Sequence, residues 1–250
     1  MPRLSGPWEG AILRKLGIIG GTSWNSTALY YRYINEGVAR ALGGMHSARL
    51  LIESVDLAPY AALQRAGRLE EAQAMIVAAG QNLAAGGAEA ILIASNTTNR
   101  YAPAVEAATG LPLLHIADPT IARLKAEGRK RIALFGTRYV MTEDFARTRY
   151  EAAGLEVMQL RPDWIDEIDR IIFDELVLGR ASRTSERTFR TMITELDKQK
   201  ADAIVLGCTE LCLAIRARAN VLPVYDTTAI HAEAAVDWLL EDRRTDSAAA

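Results

Sequence analysis

The sequence predicts an α/β protein built from two similar parallel-sheet domains related by a pseudo-two-fold axis, with the active site in the cleft between them. Two observations carry that prediction. Short β-rich apolar runs alternate with longer stretches of helical periodicity, which is the signature of βα units rather than of a sandwich or a bundle. Motifs of the first half also return in the second at a nearly constant spacing, as a duplicated architecture requires.

Taken in chain order, strands are expected at residues 16–19, 49–54, 90–94, 113–116, 131–135, 156–160, 203–206 and 221–224. Helical periodicity occupies residues 26–42, 69–85, 120–127 and 185–198 between them, with apolar positions three and four apart. The repeat is legible residue by residue. Residues 15–22 (KLGIIGGT) match 131–137 (RIALFGT), residues 87–97 match 200–209, and 110–112 match 220–223. Thr22 and Thr137 lie 115 positions apart, Ser95 and Cys208 113, and Pro112 and Pro223 111. The expected division is 15–117 plus 225–241 for the first domain and 118–224 for the second, with 1–14 and 242–250 as flexible ends.

Composition narrows the function classes. The 250 residues are 50% apolar and carry a formal net charge of −2, enough to bury a sizeable core and with no bias toward nucleic acid or membrane. Apolar runs such as 90–94 fall far short of the roughly 18 to 20 residues of a membrane-spanning helix. Residues 1–14 contain Pro, Gly, Glu and Trp in place of a continuous apolar targeting core, so no targeting segment is expected. Only two cysteines occur, Cys208 and Cys212, and four-residue spacing on one helical face disfavours a disulfide. A cytoplasmic location follows as the expectation.

Ligands of open parallel sheets bind beyond the carboxyl ends of the strands. Thr22 and Ser23, then Ser95, Asn96 and Thr97, lie at such ends in the first domain; Thr137 and then Cys208, Thr209 and Glu210 lie at them in the second. Facing domains would bring Ser95 and Cys208 to opposite sides of one bound carbon. Moving a proton off a carbon next to a carboxylate and returning it from the other face needs two such acid/base groups. A cysteine serves best when its pKa, about 8.5 unperturbed, is lowered by a helix N-terminus, and residues 207–211 (GCTEL) read as a strand giving way to a helix. Exposed amides at Asn96-Thr97 and Thr209-Glu210 would frame a pair of carboxylate cradles.

Gly207-Cys208-Thr209-Glu210-Leu211, the Asn96-Thr97 pair after an apolar strand, and Gly20-Gly21-Thr22-Ser23 resemble the aspartate/glutamate racemase family, which includes hydantoin racemases, maleate isomerases and arylmalonate decarboxylases. The resemblance spans roughly residues 15–240. It implies proton transfer without pyridoxal phosphate, metal or nucleotide, with Cys208 at one catalytic position and Ser95 at the other. It further implies a small carboxylate substrate such as aspartate, glutamate or a related amino acid, no nucleic-acid or membrane partner, and compatibility with a homodimer. The chain departs from the family where Ser95-Asn96-Thr97 stands for Cys-Asn-Thr. A serine is a far weaker base than a thiolate, which leaves three outcomes: lopsided racemisation, a single-cysteine decarboxylation of the arylmalonate type, or a non-catalytic carboxylate-binding protein.

The distal substrate group has weaker pointers. Residues 171–179 resemble a family segment that supplies a lysine in aspartate racemases, and Val177 takes that place here; Arg49 and Arg138 are the alternative cations, since arginine grips carboxylates bidentately. Cys212 reads as a packing residue, and His46, His115 and His231 are scattered without metal-ligand spacing. Of these, His231 follows the Asp226-Thr227-Thr228 turn near the strand ends. The glycines at 17–22 lack both dinucleotide and Walker spacing, and the charged stretch 180–190 reads as a solvated face.

Overall fold

The computed structural model describes residues 13–216 and 220–248, with side chains described through Glu241. Two four-stranded parallel sheets form its frame. The first holds β1 (Lys15–Gly20), β2 (Arg49–Ser54), β3 (Ala90–Ile93) and β4 (Leu113–Leu114) in the order β2-β1-β3-β4. The second holds β5 (Arg131–Gly136), β6 (Glu156–Val157), β7 (Ala203–Gly207) and β8 (Val224–Asp226) in the order β6-β5-β7-β8. The two orders are the same order twice, so the sequence repeat is a repeat of topology.

Helices cover the faces. They are α1 (Trp24–Leu42), α2 (Leu57–Arg65), α3 (Leu69–Ala85), α4 (Ala102–Thr109), α5 (Ala117–Ala126), α6 (Arg138–Thr142), α7 (Asp144–Ala152), α8 (Pro162–Asp174), α9 (Arg183–Lys198) and α10 (Thr227–Ala248). Because both faces are covered, the inner strands are apolar throughout and alternate between two cores. Leu16 and Ile18 join Ala90 and Leu92 beneath α1 and α10, whereas Ile19 joins Ile91 and Ile93 beneath α3 and α4. Ile132 and Leu134 likewise face one core of the second sheet, and Ala133 and Phe135 the other. Each fully buried Ile or Leu contributes about 1.5–3 kcal/mol.

Differences from the expected elements have local causes. The last strand starts at Val224 rather than 221, because Pro223 has no N–H to give; it enters the ladder only through its carbonyl, which accepts from Ile204 N at 2.9 Å. Tyr225 and Asp226 pair with Val205 and Leu206, so the chain leaves the second sheet at the start of α10 and not at 224. The strands expected to reach 116 and 160 stop at Leu114 and Val157; each is an edge strand paired on one side only. Residues 1–12 lie outside the description, but Leu13 is buried and its carbonyl accepts from Arg49 Nη1 at 2.7 Å, while Arg14 pairs with Glu241 at 2.9 Å. At the other end the helical backbone of α10 continues to Ala248, past the expected boundary at 241. No described helix is long and apolar enough to cross a membrane.

Left-handed turns carry the chain around the ends of the strands. After β1 the chain reverses at Gly21 (φ 86°), where a Cβ would fall 2.0 Å from the Val55 carbonyl oxygen, so only glycine fits. Ser23 then caps α1 by accepting from Ser26 N. The approach to β3 turns through Gly87 (φ 81°), and the equivalent approach to β7 turns through Lys200 (φ 68°), the only described non-glycine residue with positive φ. The repeat has kept the left-handed turn but lost the residue suited to it.

One buried histidine fastens α10 to the first domain. His231 Nε2 lies 2.8 Å from the Leu114 carbonyl oxygen and Nδ1 lies 2.8 Å from the Tyr30 hydroxyl. Nε2–H therefore donates and Nδ1 accepts, which specifies the neutral ring. Burial lowers its pKa to about 4.

Lys200→Gly should stabilise the fold by up to about 1 kcal/mol, since the left-handed conformation is costly for any residue with a Cβ; urea midpoints of the two proteins measure it. His231 makes stability depend on pH. Its folded pKa lies below the unfolded value of about 6.5, so its contribution is complete above that pH and is lost as pH falls toward about 4, by about 3 kcal/mol at most. Unfolding curves between pH 7 and pH 4 should show a smaller loss for His231→Gln than for the parent, although the variant is less stable at pH 7.

Candidate active site

The carboxyl ends of the two sheets face each other and are stitched by polar side chains. From the first domain, Ser23 Oγ donates to Glu210 Oε1 at 2.9 Å, and Ser26 Oγ shares a 2.6 Å hydrogen bond with Thr209 Oγ1. From the β3 end, Asn96 Nδ2 donates to Thr227 Oγ1 at 3.0 Å, and Thr97 Oγ1 lies 3.0 Å from Thr137 Oγ1. Thr227 in turn donates to the Leu206 carbonyl at 2.7 Å. The residue after Ser95 is thus one side chain away from the strand that carries Cys208. Farther along, Arg100 forms an ion pair with Glu143 across the same boundary and lies 4.6 Å from the Phe145 ring.

On the β7 side, Gly207 lets the strand end pass close to Val140, whose Cγ1 would lie 2.8 Å from an added Cβ. Cys208 follows in extended conformation (φ −150°, ψ 132°) ahead of a single 3-10 turn, Thr209–Leu213. Its sulfur donates to Glu210 Oε2 at 3.1 Å, and Thr209 Oγ1 donates to the same oxygen. Burial, reinforced by the Glu210 carboxylate, pushes the Cys208 thiol well above its usual range. This reverses the expectation of a lowered pKa. A 3-10 turn of five residues offers little dipole, and the nearest charge is negative, so the resting sulfur keeps its proton.

On the β3 side the polarity is opposite. Ser95 Oγ accepts from Thr98 N at 3.3 Å and from Thr98 Oγ1 at 3.1 Å. Thr98 Oγ1 accepts from Tyr60 OH at 3.2 Å, which accepts from Gln64 Nε2 at 3.1 Å. Every donor in this partly buried chain points toward Ser95. With both lone pairs engaged, the Ser95 hydroxyl has its own hydrogen to give. Burial raises the Tyr60 phenol to about 12, which keeps it a neutral donor. Asn99 secures the loop from behind, donating to the carbonyls of Ile93 and Ser95 at 3.1 and 2.7 Å.

The other expected residues fall in distinct places. Thr22 sits half-buried at the β1 turn, outside the hydrogen bonds that join the strand ends. Arg49 opens β2, at the opposite end of its strand, and Arg138 pairs with Asp166 on α8. Val177 packs against the core of the second sheet. Cys212 is half-buried rather than packed inward; its sulfur donates to the Thr209 carbonyl at 3.0 Å, and burial pushes it up to about 11. His115 accepts from Ala117 N at 3.2 Å just ahead of α5, and Asp226 caps α10 by accepting from Thr228 N at 2.9 Å. Among the described residues no three of His, Cys, Asp and Glu gather as a metal site. Sequence reasoning misses Ser26, Tyr60, Thr98 and Thr227. Only Thr227 carries a signal, the Asp-Thr-Thr turn after an apolar run, and a strand expected to end at 224 hides that it lies directly beyond a strand end.

Duplicated α/β halves that meet at their strand ends, together with the family they match, define the class of protein: an isomerase of the racemase type. The profile of the Asp/Glu/Hydantoin racemase family matches residues 19–235, and the chain belongs to that family. A Yersinia pestis structure assigned to the Asp/Glu racemases is 44% identical, covers 91% of this chain and 100% of its own, and superposes with a TM-score of 0.87. PH1733 of Pyrococcus horikoshii OT3, an aspartate racemase homologue, is 30% identical over 90% of this chain and 98% of its own, with a TM-score of 0.78. The broad specificity amino-acid racemase RacX of Bacillus subtilis (strain 168) is 22% identical over 90% of this chain and 98% of its own length.

Proposed function

We propose that this enzyme racemises free amino acids by side-chain proton transfer alone, with Cys208 acting on one face of the α-carbon and Ser95 on the other. The observation that supports it is the opposed polarity of the two equivalent positions: the Cys208 thiol is hydrogen-bonded to an acceptor, Glu210, whereas Ser95 is fed by donors and has its own hydrogen to deliver. In the productive step the Cys208 proton passes to Glu210 Oε2 and the thiolate takes the α-proton. Ser95 then protonates the carbanion from the opposite face. It is replenished by Thr98, and Thr98 by Tyr60, so the deficit moves from an alkoxide to a phenolate, and the cycle closes when solvent returns a proton to Tyr60 and removes the one held by Glu210. Asn96, Thr97, Thr137, Thr209 and the Ser23 region supply the donors that hold the substrate carboxylate. Because the two enantiomers are equal in energy, kcat/KM must be equal for both. The asymmetry therefore shows in the balance of exchange and inversion, not in the equilibrium.

In deuterated water, one enantiomer of a responsive amino acid should incorporate α-deuterium with retention faster than it inverts. Cys208→Ala should lower both rates at least about 100-fold, the scale of one positioned acid/base group. No exchange with any amino acid, or full exchange in Cys208→Ala, is incompatible with the proposal. The protonated resting thiol favours one other reading, decarboxylation of a malonate-type acid, which needs a proton donor but no base. Carbon dioxide release from an arylmalonate without amino-acid exchange would select it.

Tyr60 acts through Thr98 and is a positioning residue. Tyr60→Phe should lower inversion about 10-fold while leaving exchange with retention nearly intact. Equal loss of both rates would mean that Tyr60 only supports packing.

A further inference from the structure

The 3-10 turn that follows Ser95, Thr97–Tyr101, carries a buried cation. The Arg100 side chain is only 9% exposed, and its Nη2 pairs with Glu143 of the second half of the chain. The guanidinium carbon lies 4.6 Å from the centre of the Phe145 ring and 5.9 Å from the centres of the Tyr101 and Tyr139 rings. Aromatic faces stabilise a guanidinium without using its N–H groups. Arg100 Nη1 is accordingly left over: it is buried and meets no hydrogen-bond partner among the described residues, and the same holds for the hydroxyl of Tyr101. Buried polar groups are almost always paired, and an orphaned charged donor is costly. Two such groups side by side make physical sense where an anion forms next to them during turnover.

Tyr60 is the place for that anion. Thr98 and Tyr101 stand three apart on the 3-10 turn, where side chains at that spacing eclipse one another. The Tyr60 hydroxyl, bonded to Thr98 at 3.2 Å, and the Tyr101 ring therefore share one side of the turn, and both side chains belong to one core cluster. Burial raises the Tyr60 phenol, and the bond to Thr98 and the Arg100 guanidinium work against that rise. When Ser95 delivers its proton, that of Thr98 passes to Ser95 and that of Tyr60 to Thr98, so the negative charge comes to rest on the Tyr60 oxygen. Gln64 already donates to this oxygen at 3.1 Å, and Arg100 supplies the neighbouring positive charge.

We infer that Arg100 is a positioning residue for the Ser95 half of the reaction: its charge and its unengaged Nη1–H stabilise the Tyr60 phenolate and so set how readily Ser95 gives up a proton. The inference rests on the relay from Tyr60 to Ser95. Arg100 stays protonated throughout, so it neither adds a proton to the sequence nor removes one. Because Glu143, Tyr139 and Phe145 come from the second half of the chain, the chemistry at Ser95 also depends on the two halves staying in contact at this point.

The test measures inversion and α-deuterium exchange with retention, in deuterated water, for the full chain and its variants. Arg100→Gln should lower inversion about 10-fold, the scale of one charge-assisted hydrogen bond, and leave exchange with retention nearly intact. Arg100→Lys, which keeps the charge but not the fork, should restore part of the loss. Glu143→Gln removes the same ion pair without removing the cation and should not lower inversion. In a Tyr60→Phe background, Arg100→Gln should cost nothing further, because no phenolate forms there. Inversion unmoved by Arg100→Gln, equal loss from Arg100→Gln and Glu143→Gln, equal loss of inversion and retention, or an undiminished effect in the Tyr60→Phe background each overturns the inference and leaves the racemase reading standing. Inversion unchanged by Tyr60→Phe alone removes the relay and this inference with it, and exchange with no amino acid removes the racemase reading as well.

Discussion

A single carboxylate organises the seam between the two sheets. Glu210 carries its charge into a stretch of the boundary where its partners are hydroxyls and a thiol, and where an unpaired anion would be costly. Its donors come from both halves of the chain: Ser23 from the first, Cys208 and Thr209 from the second. Charge-assisted hydrogen bonds of this kind are worth about 1.5–3 kcal/mol each. One residue thereby helps to join the strand ends and keeps the neighbouring sulfur protonated.

The frame of the molecule is largely legible in the chain. Strand positions, the strand-end residues and the duplication all follow from apolar runs punctuated by glycine, because buried parallel strands leave that pattern. The same apolar logic is present in α8, where Trp164, Ile165, Ile168, Ile171 and Ile172 fall on one buried face, outside the four helical stretches expected from periodicity. The state of Cys208 is not legible from its motif alone. It depends on whether five residues form an α-helix or a 3-10 turn, and on which way the side chain two positions later points. The donors behind Ser95 are further out of reach: Tyr60 lies on α2, 35 positions upstream in sequence, and only the folded sheet brings its hydroxyl to Thr98.

Duplication accounts for the frame, and divergence for the chemistry. Equivalent turns survive with unequal residues: Gly87 against Lys200, His115 against Asp226, Ser95 against Cys208. His115 and Asp226 make the same local bond, each accepting the backbone N–H two residues on. At Ser95 and Cys208 the equivalent places have taken opposite senses, one fed by donors and the other drained by an acceptor. A symmetric scaffold can in this way hold a reaction whose two halves are chemically unlike.

Those two residues also mark where the polypeptide passes between the sheets, once from β4 into α5 and once from β8 into α10. The crossings run side by side, for α5 and α10 touch and Arg123 reaches Glu233 between them at 2.7 Å. Two adjacent covalent tethers behave as the spine of a book. They limit sliding and twisting of one half against the other, while the hydrogen bond from Ser23 to Glu210 joins the same two halves by a link that can break and re-form.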